Sequence, residues 1–319
     1  MAGLGLGHSI SQSLGVMIFL GLNSGLATSL SQAYGNGQIV QNLQLCGHYM
    51  NKAHFQNLLV FIPMGLLLGN SWFFLDLLGQ EYEVAKIAQR YIWAVLPQIL
   101  FTQMFDIQKQ QLNCYRLSHV QMLAQVLGTA LHLPIMTVTL NFMPDDPILA
   151  MGVTTSISSF IKLVSVYALS RFYESVRVSS VPLVWSSLCQ PGQKSHFYTI
   201  SLPSMVMFCA EGWAFQVLII MSGWINVDEQ AAQSICAVIS TTLFMYSAGL
   251  QEASSTLVGN SIGSLEEGGR GIAKAWRFAS LMSVVAITMT LTCIVGLFWY
   301  IDSIVDLFTQ DPKVRSLLL

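Results

Sequence analysis

Eight stretches of this chain run for about twenty-five residues with few ionisable side chains, at roughly 8–34, 53–77, 88–112, 119–142, 148–172, 196–224, 232–259 and 276–300. A helix crossing the hydrocarbon core of a bilayer needs about twenty predominantly apolar residues, and eight such windows in series point to a polytopic protein. A soluble domain carries roughly a quarter Asp, Glu, Lys and Arg. Here 14 Lys plus Arg and 16 Asp plus Glu make up only 9% of 319 residues, against 53% hydrophobic. The expected fold is all-α, with about eight transmembrane helices and a ninth helix starting near Asp311. Pro63, Pro97, Pro134 and Pro203 fall inside these windows, and membrane helices tolerate them because neighbouring helices satisfy the freed carbonyls. A net charge of -2 with no basic cluster argues against nucleic-acid binding. The six cysteines form no C-x-x-C pair, so neither a zinc site nor a disulfide framework is expected.

The few cations set the orientation. Lys52, Lys109, Arg116, Arg171, Arg177, Lys194, Arg270, Lys274 and Arg277 lie in or beside the loops after the first, third, fifth and seventh windows. The opposite loops hold only Lys86, Arg90, Lys313 and Arg315, beside the acidic pairs Asp145/Asp146 and Asp228/Glu229. The excess of positive charge places the first set in the cytoplasm.

The chain also matches itself. GLNSGLATSLSQAYG (21–35) aligns without gaps on GLQEASSTLVGNSIG (249–263), with Gly21/Gly249, Leu22/Leu250, Thr28/Thr256 and Gly35/Gly263 identical and Gln32/Asn260 conservative. LDLLGQEYEVAKI (75–87) matches VDLFTQDPKVRSL (305–317) through Asp76/Asp306, Leu77/Leu307, Gln80/Gln310 and Val84/Val314. Both copies of the first motif leave the membrane on the same side, so the repeats are parallel and related by an axis along the membrane normal. The first window corresponds to the seventh, so one period holds six helices and the complete design is a twelve-helix, two-lobe (6+6) arrangement. The long connection before the sixth window reads as the join. Residues 1–172 are then an N-lobe lacking its first helix, 173–195 a cytoplasmic inter-lobe linker, and 196–319 the first part of a C-lobe, with three helices and the start of a fourth.

Charged side chains at the centre of a membrane helix cost roughly 2.5–3.5 kcal/mol on insertion scales, so they are functional candidates by default. Glu211 is the clearest, mid-way along the sixth window, with Pro203 two turns earlier and Trp213 just after. A carboxyl there suits a proton-linked or cation-linked switch. Glu252 and Gln251 lie about two turns inside the cytoplasmic end of the seventh window, where a cavity-facing polar stripe and a carboxylate reaching headgroups are both open readings. Lys162 is near the centre of the fifth, too deep for snorkelling alone, and Asp106 is a candidate ion-pair partner. Asn23, Thr28, Ser31 and Gln32 share one stretch of the first window, where interhelical hydrogen bonding is the default. No H-E-x-x-H, P-loop or G-x-S-x-G motif occurs, so an enzyme is not expected.

LATSLSQAYGNGQ (26–38) resembles the second-helix signature of the multidrug and toxic compound extrusion (MATE) transporters, eukaryotic type. LPSMVMFCAEGWAFQ (202–216) resembles their seventh-helix motif, and SICAVISTTLFMYSAGLQEASSTLVGNSIG (234–263) their eighth helix. The resemblance is collinear over nearly the whole chain and implies a family member incomplete at both ends, short of one helix before Met1 and three after Leu319. It implies a multi-pass protein of the plasma membrane or a vacuolar or other endomembrane. The implied activity is antiport by alternating access, exporting organic cations, xenobiotics or amphipathic metabolites in exchange for H+ or Na+, with no other cofactor and a monomeric state. The family's seventh-helix glutamate falls on Glu211 and its second-helix glutamine on Gln32. A second seventh-helix acid is Gln216 here, and Glu252 stands where small residues are usual. The alternatives are a lipid-linked oligosaccharide flippase of the same superfamily, for which only Lys162 offers central positive charge, and a truncated, non-transporting membrane protein.

Overall fold

A computed structural model describes residues 2–40, 42–77, 82–182, 193–223, 225–264, 270–309 and 311–318. These residues form helices and no strand. In chain order they are α1 (Ala2–Ile10), a π-helical segment (Ser11–Val16), α2 (Met17–Val40), α3 (Gln44–Gly69), α4 (Ser71–Leu77) and α5 (Tyr82–Cys114). There follow α6 (Ser118–Ala130), α7 (His132–Phe142), α8 (Pro147–Ser170) and α9 (Glu174–Ser179), and then α10 (Gln193–Gly223), α11 (Val227–Gly263), α12 (Arg270–Phe308) and α13 (Pro312–Leu318).

Local chemistry sets several ends. Asp146 caps α8 by accepting from Leu149 N (3.1 Å), with Pro147 in the first turn where its missing N–H costs nothing. Asn226 caps α11 through Glu229 N (2.7 Å), and Asp228 and Glu229 favour the positive helix start. Asp311 accepts from Lys313 N (2.9 Å) at the start of α13, where a ninth helix was expected. Arg116 takes a positive φ of 61°, which lets the chain reverse from α5 into α6. The expected fourth span divides at Leu131 into α6 and α7, just before Pro134.

All eight expected spans are helical, and the molecule is an integral, multi-pass membrane protein. Six stretches are both long and apolar enough to cross: Leu4–Gln38, Ser118–Phe142, Pro147–Ser170, Phe197–Ile219, Asp228–Gly263 and Arg270–Phe308. α5 and the first half of α3 are too polar to count by apolarity because they sit inside the bundle, while the second half of α3 exposes Leu59, Ile62 and Leu66. The two helices bury Lys52, Gln56 and Asn57 on α3 and Gln103, Asp106, Gln108, Gln110 and Gln111 on α5. The apolar core lies mainly among the helices before residue 182, with Phe197 of α10 joining it. One cluster, including Leu26, Leu30, Tyr49, Ile107, Leu112 and Val166, joins α2, α3, α5 and α8, and a second, including Phe19, Leu22, Ile92, Val95 and Ile99, continues it. α12, by contrast, turns nearly its whole apolar surface away from the other described helices, as lipid exposure allows.

The first helical group meets the second along α2. Gly21 and Gly25 lie against the backbone of Met205 and Ser201 on α10, and Ser201 donates to Leu22 O (3.0 Å) while accepting from Gln56 Nε2 (3.0 Å). At the end assigned to the cytoplasm, α2 crosses α11 with reciprocal contacts. A Cβ on Gly35 would strike the Asn260 carbonyl, one on Gly263 would strike the Gln32 carbonyl, and one on Gly259 would strike Ser31. Gly35 and Gly263, Gln32 and Asn260, and Ser31 and Gly259 are the aligned pairs of the internal repeat. Contacts that map onto themselves under the repeat are what a two-fold axis between Ser31 and Gly259 produces. Of the expected linker, α9 packs against α3, burying Val176 and Ser179, and residues 183–192 lie outside the described residues.

Candidate functional site

The crossing carries the densest polar network that spans the two groups. Asn57 Nδ2 donates to Asn23 Oδ1 (2.8 Å), and Asn23 Nδ2 donates to Asp106 Oδ2 (2.9 Å). Lys109 Nζ lies 3.0 Å from Asp106 Oδ1 and 2.6 Å from Glu252 Oε1. The other Glu252 oxygen accepts from Asn113 Nδ2 (2.5 Å), whose Oδ1 accepts from Gln121 Nε2 (3.3 Å). The Asp106 side chain is only 5% exposed, Lys109 22% and Glu252 32%. Asp106 and Lys109 are one turn apart on α5, so they pair within a helix, whereas Glu252 reaches them from α11. Two carboxylates around one ammonium leave one formal negative charge, with neutral amides supplying the remaining hydrogen bonds, as charges out of water require. Close by, Asn260 Nδ2 donates to Cys114 O (3.1 Å), and the Cys114 thiol lies 3.2 Å from Ser31 Oγ.

This geometry corrects one expectation and gives Glu252 its partners. Asp106 does not pair with Lys162. It is held by Lys109 and Asn23, while Lys162 lays its aliphatic stem over Gly128 and makes no ion pair among the described residues. The physical reason is proximity: a cation one turn along the same helix is in place before α8 is considered. The Glu252 carboxylate is engaged on both oxygens by Lys109 and Asn113, and its side chain also lines a cavity with Arg116, Gln121 and Thr256. Lys109 was counted among loop and flank cations, but α5 continues to Cys114 and carries it inside a helix.

Glu211 lies apart. It is on an exposed face of α10 rather than enclosed by protein, and among the described residues it makes no hydrogen bond or ion pair. Its neighbours anchor that depth of the helix: Gly212 packs on Met17, and Trp213 Nε1 donates to Ser13 O (3.0 Å) in the π-helical segment. Glu211 is 12 residues from the end of α10 at Gly223, and Glu252 is 25 residues from the start of α11 at Val227. At 1.5 Å per residue the two carboxylates differ in depth by about 20 Å. Gln216 sits further along α10 from Glu211, half-buried; Thr28 is half-buried on α2, and Pro203 is exposed within α10. Gln32, also half-buried, belongs to the crossing, beside Ser29, Asn36 and Gly263. The four expected coupling residues therefore divide between two levels: Glu211 and Gln216 at mid-span, Gln32 and Glu252 at the crossing. His132 is a packing residue, its Nδ1 2.9 Å from Ser158 Oγ.

Sequence reasoning missed Lys109, Asn57 and Asn113. The i, i+3 spacing of Asp106 and Lys109 was the available signal. A cavity of about 470 Å³ lies outside the crossing, between α3, α5, α8 and α9, with Arg171 and Arg177 in its lining.

Comparison with known proteins adds identity. The profile of the family described as MatE matches residues 1–138 and 203–318. The chain is 27% identical over 321 residues to Multidrug and toxin extrusion protein 1 of Oryctolagus cuniculus, covering 98% of this chain and 53% of the relative. It is 28% identical over 308 residues to Protein DETOXIFICATION 39 of Arabidopsis thaliana, covering 94% of this chain and 57% of that one. The chain thus spans about half the length of the curated relatives it matches. Among solved structures, the eukaryotic MATE transporter AtDTX14 superposes with a TM-score of 0.82 at 21% identity, covering 99% of this chain and 68% of that one. The fold is shared.

Proposed function

The chain belongs to the MatE family, and from that premise we propose that it serves secondary antiport, exporting organic cations or amphipathic metabolites in exchange for H+ or Na+. Residues 1–172 and 196–319 act as two lobes joined by 173–195, and alternating access moves one against the other. The observation that carries the reading is Glu211, a carboxyl at mid-span with no partner among the described residues. Insertion of such a group costs about 2.5–3.5 kcal/mol, and that cost is sustained where the group exchanges a proton or cation with its surroundings. The Trp213 to Ser13 bond and the Gly212 contact with Met17 hold Glu211 at a fixed depth beside the first lobe. Gln32 and Gln216 supply neutral polar groups on either side of that level. No observation favours flippase activity: Lys162, the cation expected to serve it, is spread along Gly128 rather than presented to a vestibule.

The test is efflux of a fluorescent organic cation from proteoliposomes under an imposed proton or sodium gradient. Glu211→Gln is expected to abolish gradient-driven efflux while leaving the protein folded. Efflux that persists at the parental rate in that variant would overturn the role of Glu211.

A further inference from the structure

We propose that Lys109 and Glu252 form an inter-lobe latch that holds the transporter closed at its cytoplasmic end, with Asp106 as the residue that retains Lys109 when the latch opens. The proposal rests on the reading that the two lobes move against each other, and it concerns residues separate from Glu211.

The geometry distinguishes the two halves of the network. Asp106, Asn23 and Asn57 sit on α5, α2 and α3, all in the first lobe, and their bonds survive any rigid movement of the second. Glu252 comes from α11 and takes both its partners, Lys109 at 2.6 Å and Asn113 at 2.5 Å, from α5. Separation of α11 from α2 and α5 must therefore break this pair. It leaves Lys109 paired with Asp106 at 3.0 Å, and sets Glu252 free as an unpaired carboxylate facing the opened seam. The ammonium is thus never stranded, which lowers the cost of opening compared with an isolated pair. The close packing around the axis, Gly35 on Asn260 and Gly263 on Gln32, brings α11 near enough for the bond to form. The latch is a charge-assisted contact between bodies that also meet through glycine packing and neutral hydrogen bonds, and such a contact is made in one state and absent in the other.

Cys114 reports the state of the seam. It is fully buried, its thiol rests on Ser31, which Gly259 covers, and its carbonyl is held by Asn260 of the second lobe. In protein retaining Cys114 as its single cysteine and held in lipid nanodiscs, alkylation by a membrane-impermeant maleimide should be slow. Glu252→Gln and Lys109→Met should each raise the rate at least tenfold. The exchanged pair Lys109→Glu with Glu252→Lys, made together with Asp106→Asn so that no second carboxylate stands one turn from the new glutamate, restores an inter-lobe bond, so its rate should return to within about threefold of Asp106→Asn alone. An unchanged rate in Glu252→Gln overturns the latch, as does an exchanged pair that reacts as fast as the single variants. The readout needs no substrate or gradient, so failure of the latch and failure of the transport reading are separate results.

Discussion

The crossing of α2 and α11 predicts its own sensitivity to a single methyl group. Replacing Gly35 with Ala places a Cβ against the oxygen, carbon and Cα of Asn260, all backbone atoms, and Gly263→Ala does the same against Gln32. No side-chain rotation relieves either collision, so the helices must separate. Overpacking of this kind costs about 1–3 kcal/mol. Alanine also favours helix over glycine by about 1 kcal/mol, but that gain applies equally to open and closed arrangements and cancels from the equilibrium between them. At about 1.4 kcal/mol per factor of ten, the opening equilibrium should rise roughly 5- to 150-fold in each variant. The assay is alkylation of single Cys114 in nanodiscs, which follows the open population when reclosure outpaces the reaction. Because the two contacts are related by the axis, the singles should agree in size, and the double variant should fall short of their product, since relief at one contact relieves the other. Gly249→Ala is the control, because nothing lies within 4 Å of its added Cβ. A parental rate in Gly35→Ala, or an equal rise in Gly249→Ala, would refute the reading of this crossing as the closed seam.

Two further outcomes follow from the same contacts. Trp213→Phe removes the indole donor to Ser13 O and should cost about 0.5–1.5 kcal/mol, seen as a lower unfolding temperature in detergent; no change would mean that the π-helical segment finds its partner elsewhere. Lys162→Met keeps the stem over Gly128 and removes a charge that has no ion-pair partner among the described residues, so the unfolding temperature should hold or rise. A loss greater than about 2 kcal/mol would show that the charge is engaged.

Composition made the fold class legible because lipid leaves so few solutions: long apolar helices with internally satisfied backbones. The repeat was legible as identities at one spacing, and the reciprocal contacts of Gly35 and Gly263 show why those identities persist: a side chain at either would force the helices apart. Charge partners were not legible. Asp106 had Lys109 three residues away and Lys162 far along the chain, and which cation it meets depends on helix rotation, which a pattern of apolar windows does not report. Glu252 was ambiguous for the same reason, since the group that engages it belongs to α5. Apolarity likewise distinguishes lipid-facing spans better than interior ones: α5 and the first half of α3, which bury the amides of the network, are polar because protein rather than lipid surrounds them.

The repeat also locates what is not symmetric. Ser31 faces Gly259 and Gly35 faces Asn260 as Gly263 faces Gln32, so the crossing treats both lobes alike, and its closure acts at the cytoplasmic end alone. The counterpart of Glu252 in the first copy is Ser24, whose hydroxyl donates to Gly21 O in its own helix at 2.9 Å. One copy has kept a local hydrogen bond where the other carries a carboxylate bound across to α5. An alternating-access machine needs the energies of its two closed states to be set independently, because coupling requires that a bound ion or substrate shift one relative to the other. The glycine crossing gives the cytoplasm-closed state a strength fixed by backbone packing, whereas a charge pair, carried at one position of the repeat and replaced by a self-satisfied hydroxyl at the other, adds a contribution to that state that a change of charge can adjust. On this argument the closed cytoplasmic seam owes its geometry to the glycines and its adjustable strength to Glu252 and Lys109. The same substitution at Ser24, Ser24→Ala, should therefore leave the Cys114 alkylation rate unchanged while Glu252→Gln raises it.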